Sequence, residues 1–129
     1  MEHALASFSG FTVDDIQAAR QFYVDTLGLS LKSDAMGLNL DLPGGAELFV
    51  YEKADHRPAD FTVLNFVVDD IDGAVDSLRA SGVSFEHYEL GNGAKQDEKG
   101  VLRGRSVNMG PDIAWFKDPA GNVLSVLQS

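Results

Sequence analysis

The chain has 129 residues, 44% of them hydrophobic and 23% charged, the size and composition of one globular domain able to bury its own core. Its formal net charge of −10 disfavours partners held through phosphate contacts, nucleic acid and anionic membrane alike, and favours a neutral or cationic ligand. With no cysteine, disulfides, Cys-ligated zinc, iron–sulfur clusters and thiol nucleophiles are excluded.

Met1-Glu2-His3-Ala4 lacks the basic start and apolar stretch of a secretory leader, so a cytoplasmic, reducing location is expected. Phe8 to Val13 is an apolar run rich in β-branched and aromatic residues, which predicts a strand. Asp14-Asp15 follows at a helix start, where a carboxylate accepts from the free N–H groups of the first turn. Ile16, Ala19, Tyr23 and Leu27 then fall at helical spacing, and Gly28 sits where a left-handed C-cap ends the helix. Leu38, Leu40 and Leu42 alternate with polar residues or glycine as in a half-buried strand, Pro43-Gly44-Gly45 is a turn, and Glu47 to Glu52 is the next strand.

Phe61 to Val68, the longest nearly apolar run, is another strand and far too short to span a bilayer. Asp69-Asp70 again precedes a helical pattern of Ile71, Val75 and Leu78, with Gly82 as its stop. Gly91 to Arg105 breaks this regularity. Its glycines alternate with Lys95, Lys99, Arg103 and Arg105, which fits either a solvated connection or a flap offering its bases to an anion. Asp112 to Lys117 and Val123 to Leu127 read as strands joined by the turn Asp118-Pro119-Ala120-Gly121-Asn122.

The two halves repeat. Val13-Asp14-Asp15-Ile16 recurs as Val68-Asp69-Asp70-Ile71, Ala19 falls on Ala74 at the same spacing, and Leu27-Gly28-Leu29 lines up with Ser81-Gly82-Val83. The order predicted is βαβββ twice, each half with a strand after its glycine stop. Residues 1–129 form one domain, with module one over about 1–56 and module two over about 57–129.

Paired modules, Val13-x-Asp15 followed by Phe22-Tyr23 and Leu27-Gly28, and the closing Phe116-Lys117-Asp118-Pro119-Ala120-Gly121-Asn122 resemble the vicinal oxygen chelate superfamily over essentially the whole chain. That superfamily includes glyoxalase I, extradiol dioxygenases, fosfomycin-resistance transferases and bleomycin-resistance proteins. The resemblance implies an α+β fold in which two tandem βαβββ modules form an open, barrel-like cleft, and it implies a homodimer. Metal-dependent members place His, Gln or Glu at four strand positions, which fall here on Phe8, Phe49, Val63 and Ser125. Phe and Val have no donor atom and a neutral Ser hydroxyl is a poor substitute for a carboxylate, so no metal and no other cofactor is expected. A two-residue register shift would bring in Glu47, since residues two apart share a strand face. Even then one carboxylate falls short of the three or four ligands a site needs. His3, His56 and His87 match none of the inherited positions.

What the resemblance leaves is an apolar pocket. Phe8, Phe49, Val63 and Ser125 are expected at its floor, with Trp115 and Phe116 adding aromatic surface for a planar ligand, although each of these side chains also fits a core. Asn65 is a polar side chain inside an apolar strand, satisfied by a neighbour or turned to a ligand, and Tyr51 and Asn108 are weaker candidates of the same kind. No catalytic residue is assigned, for no Ser-His-Asp set, phosphate loop or dinucleotide fingerprint is present. The reading is a metal-independent binding protein that sequesters a small molecule, with a cationic aromatic antibiotic as the candidate and drug resistance as the outcome. The alternatives are a metal-dependent glyoxalase-like lyase or isomerase or a dioxygenase-type enzyme of the same superfamily, and a metal-free enzyme or ligand sensor.

Overall fold

The structure, a computed structural model, describes residues 1–91 and 93–129 and divides into two units, Met1–Pro58 and Ala59–Ser129. The first unit runs β1 (Ser9–Val13), α1 (Ile16–Arg20), a π-helical segment (Gln21–Thr26), β2 (Ser30–Ser33), β3 (Leu38–Asp41) and β4 (Glu47–Glu52). Its sheet has the order β1-β4-β3-β2, with β1 parallel to β4 and the other pairs antiparallel. The second unit runs β5 (Thr62–Val67), α2 (Ile71–Ala80), β6 (Leu102–Arg103), β7 (Asp112–Lys117) and β8 (Val123–Gln128), in the sheet order β5-β8-β7-β6 with β5 parallel to β8. The fold is mixed α+β, built from two four-stranded sheets, neither of them closed.

The acidic turns do what their position predicts. The Asp15 carboxylate accepts from the N–H groups of Gln17 and Ala18 at 3.0 and 3.2 Å, and that of Asp70 from Gly73 at 3.1 Å. The stops at Gly28 and Gly82 have φ of +73° and +95°, left of where a side chain is comfortable. Between cap and stop the first helix departs from expectation. After Arg20 it widens, and the Leu27 N–H donates to the Phe22 carbonyl at 2.8 Å, five residues back instead of four. Tyr23 is fully buried in this wider turn, with the Phe22 ring edge-on to it at 5.2 Å.

Each core lies between helix and sheet. Val13, Leu38, Leu40, Leu48 and Val50 bury the inner face of the first sheet with Ala19 and Tyr23. In the second, α2 packs on β7 and β8, and Ile71, Val75, Ala114, Phe116, Leu124 and Val126 are buried. The closing turn is locked from within. Asp118 Oδ1 accepts from the N–H groups of Ala120 and Asn122 at 2.9 and 2.8 Å, while Oδ2 accepts from Asn122 Nδ2 at 2.9 Å. Asp118 and Asn122 are themselves buried, which explains why this turn needs both residue types.

The strand expected directly after Gly82 is absent. Among the described residues of 83–101 there are only isolated bridges, Phe85 to Phe116 and Gln96 to Leu102, and the fourth strand of the sheet is the two-residue β6. In place of a ladder, ionic contacts tie this stretch down. Arg103 donates to both Asp72 oxygens at 2.7 and 3.1 Å and from Nε to Asp97 at 3.0 Å. Lys99 lies 2.9 Å from Asp76.

Candidate functional site

The strand register identifies equivalent positions in the two units. In the first, Gly10, Phe49 and Asn39 stand side by side on β1, β4 and β3. In the second, Asn65, Ser125 and Trp115 occupy the matching row on β5, β8 and β7. Phe49 and Ser125 are therefore structural counterparts, each on the central strand of its sheet. Because side chains alternate across a strand, both rows point away from the buried helix face.

In the first unit the row carries a ring pair. Phe49 is half-buried and stacks on the exposed Tyr51 two residues along, with centroids 5.5 Å apart and planes 18° from parallel. Phe8 lies just before β1 and is 68% exposed, so it does not fill a core. Asn39 donates to the Ser33 hydroxyl at 2.8 Å. Glu47, one step back on the same face, has its carboxylate 2.5 Å from Lys32, whose own pKa is held above its ordinary value by that bond.

In the second unit a bulge between Thr62 and Leu64 resets the pleat, so that Thr62 and Asn65, three residues apart, share one face. Val63 sits at that bulge, half-buried. The Trp115 indole reaches across β8 and donates from Nε1 to the Thr62 hydroxyl at 3.1 Å. Tyr88 meets it edge-on at 5.7 Å, and burial, then the Glu86 charge, pushes the Tyr88 phenol upward in pKa. Ser125 is fully buried, and its hydroxyl donates to Asn65 Oδ1 at 2.5 Å, while the Asn65 side chain is exposed.

Phe116 does not join this group. Alternation turns it to the helix face, where it is fully buried and packs edge-on against Phe85 at 5.5 Å. Its role is core packing, and the expectation that it lines a pocket with Trp115 is corrected. Asn108 adopts left-handed backbone, φ 57°, after the short 3₁₀ turn Arg105–Val107. Of the bases between Gly91 and Arg105, Lys99 and Arg103 are paired with acids. Thr62 and Tyr88 are the site residues that sequence reasoning missed. A Thr at the start of an apolar strand was the only available signal for the first, and Tyr88 lies in a stretch without periodicity.

The four positions that bind metal in the superfamily do not fit one here. Phe8, Phe49 and Val63 have no donor, and the Ser125 hydroxyl is engaged with Asn65. Glu47 is paired with Lys32, and His56 with Thr12 at 2.6 Å. Among the described residues, no three His, Asp or Glu side chains converge as ligands.

The repeated modules and the matching strand registers define a paired βαβββ protein. The sequence profile of the Glyoxalase/Bleomycin resistance protein/Dioxygenase superfamily matches residues 2–126, and the chain belongs to that superfamily. Among solved structures it is similar to a glyoxalase family protein from Enterococcus faecalis, at 20% identity and a TM-score of 0.68 over 98% of this chain and 99% of that one. It is similar also to TnmS3, described as an antibiotic binding protein from Streptomyces sp. CB03234, at 24% identity and a TM-score of 0.63 over 97% of each chain. A glyoxalase/bleomycin resistance protein from the same Streptomyces matches at 26% identity and a TM-score of 0.61, over 95% of this chain and all of that one. No curated protein matches the sequence. No helix among the described residues is long and apolar enough to cross a membrane.

Proposed function

We propose that this protein binds a planar, cationic small molecule without a metal and without turning it over, in the manner of a drug-sequestering member of its superfamily. The observation that carries the reading is the Trp115 platform. A large ring sits half-buried on the face away from the core, fixed at one end by Thr62 and walled by Tyr88, with polar atoms beside it. An immobilised aromatic surface with a few placed polar groups is what recognition of a flat ligand requires. Where metal-dependent relatives have donors, this chain has Phe8, Phe49, Val63 and Ser125, and the first unit, taken by itself, carries the stacked Phe49 and Tyr51.

The net charge of −10 raises the local concentration of cations near the surface. The structural likeness to an antibiotic binding protein agrees with this chemistry. The site residues in this reading are Val63, Asn65, Trp115 and Ser125 of the second unit, with Thr62 and Tyr88 added; Phe8 and Phe49 are the candidates of the first unit, taken by itself. We place the protein in the cytoplasm as a homodimer, a drug-resistance factor in that setting.

Trp115 is the chain's one tryptophan, so its fluorescence reports on the site alone. Titration with bleomycin and with the planar cation proflavine should give saturable quenching in the micromolar range or tighter, with the same affinity in EDTA and no chemical change in the recovered probe. No saturable response to either compound would overturn the reading.

A further inference from the structure

The Ser125–Asn65 pair fixes more than a hydrogen bond. A fully buried hydroxyl needs an acceptor, and Ser125 finds it in Asn65 Oδ1 at 2.5 Å. With its oxygen committed downward, the Asn65 carboxamide has its NH₂ turned outward. Asn65 is exposed, and that NH₂ has no partner among the described residues. Asn65 and Thr62 share a face only because of the bulge between them, and Thr62 is where the indole of Trp115 ends. An outward donor pair thus stands at the edge of the aromatic platform, on the same strand as the ring's anchor.

We propose that the Asn65 NH₂ is the hydrogen-bond donor that selects, among flat ligands stacked on Trp115, those carrying an acceptor oxygen such as a ring ketone, and that Ser125 is the positioning residue that aims it. The inference rests on the binding function proposed above and adds to it the ligand's polar group. One N–H of the amide can donate to a carbonyl lone pair with good geometry, and discrimination arises because a ligand without the oxygen leaves the donor to water alone.

Two probes differing only at one ring carbon, C=O against CH₂, test this: 9-fluorenone and fluorene, each bearing the same ammonium side chain for solubility. Trp115 quenching should show the ketone binding roughly three- to tenfold tighter, the size of one neutral hydrogen bond. Asn65→Asp keeps the shape and still accepts from Ser125 but replaces the outward NH₂ with an oxygen, so the ketone preference should vanish or reverse. The new charge acts on both ammonium groups alike and cancels in the ratio. Ser125→Ala frees the amide to rotate and should shrink the ratio of ketone to fluorene affinity. In ¹⁵N spectra the Asn65 side-chain NH₂ signals should move on adding the ketone and not on adding fluorene.

Equal affinities in the native protein, a preference that survives Asn65→Asp, or unmoved NH₂ signals would overturn the donor role and leave the binding function standing. Failure of both probes to bind would overturn the two together.

Discussion

The two units lay out one backbone plan with different chemistry in the same row. Across β1, β4 and β3 the first unit sets Gly10, Phe49 and Asn39; across β5, β8 and β7 the second sets Asn65, Ser125 and Trp115. Each row has one aromatic ring and one small neighbour, but the ring has moved from the central strand to the next. In the first unit the ring stacks along its own strand on Tyr51; in the second it crosses the sheet to Thr62. The difference teaches that the fold tolerates substitution of the whole row, because the row takes no part in the helix–sheet core. A position free of packing duty can hold a metal ligand, a ring or a hydroxyl without altering the backbone. The units differ as well in how they complete their sheets. The first ends on the four-residue strand β2, whereas the second has only β6 and relies on Arg103 and Lys99 to hold residues 97–103 against α2.

The largest expected effect separates core face from row. Phe116 is fully buried, so Phe116→Ala should destabilise the protein by about 3–5 kcal/mol in urea unfolding, whereas Phe49→Ala, half-buried on the row, should cost nearer to about 1 kcal/mol. Similar losses for the two would break the division of faces on which the comparison rests.

Next comes the ionic strap. The Asp72 carboxyl is held below its ordinary pKa first by its bond to Arg103, and Asp97 is also lowered, its burial being outweighed by the Val101 N–H and Arg103. Depressed carboxylate pKa values contribute stability that is present above the unfolded value of about 3.9 and is lost as pH falls through the folded ones. Arg103→Ala, screened by solvent at a one-third exposed side chain, should therefore cost about 1–2 kcal/mol at neutral pH, a deficit that shrinks below about pH 4. Hydrogen exchange should quicken at 97–103 and stay unchanged in β2. A deficit independent of pH would mean that Arg103 acts through packing of its stem.

How far the sequence could be read follows from the same contrast. Residues with periodic or capping roles were legible: Asp15 and Asp70 accept at helix starts, and β4 and β7 have the predicted bounds. Long-range pairings carried no local signal. Nothing around Thr62 announces a bulge, nothing around Arg103 announces Asp72 on α2, and the π-helical turn after Arg20 keeps the helical spacing of Ile16, Ala19 and Tyr23. Phe116 beside Trp115 was open to either face until the register with Leu124 and Ser125 fixed the alternation. The position of Ser125 was legible from the resemblance, but its bond to Asn65 spans the parallel β5–β8 pairing and could only come from structure.

The helix stops sharpen the comparison at smaller scale. Gly28 and Gly82 hold φ of +73° and +95°, and a Cβ built on either meets nothing within 4 Å, so the whole penalty of Gly28→Ala or Gly82→Ala is backbone strain. Each should cost about 1 kcal/mol, equally in the two units. Unequal costs in urea unfolding would show that one stop is reinforced by contacts the other lacks.

The smallest effect on stability falls on the residue that tests the platform most directly. Thr62→Val keeps the volume and the β-propensity but removes the acceptor for Trp115 Nε1. The indole is half-buried, so water can take the place of the lost partner, and the net cost should stay under about 1 kcal/mol. What should change is the ring itself. Released at one end while keeping its edge contact with Tyr88, it should show faster depolarisation of its fluorescence and weaker binding of a planar probe, while the urea midpoint barely moves. Unchanged anisotropy with unchanged probe affinity would mean that packing alone orients the ring, and the second unit's row would then differ from the first in composition but not in how its aromatic is held.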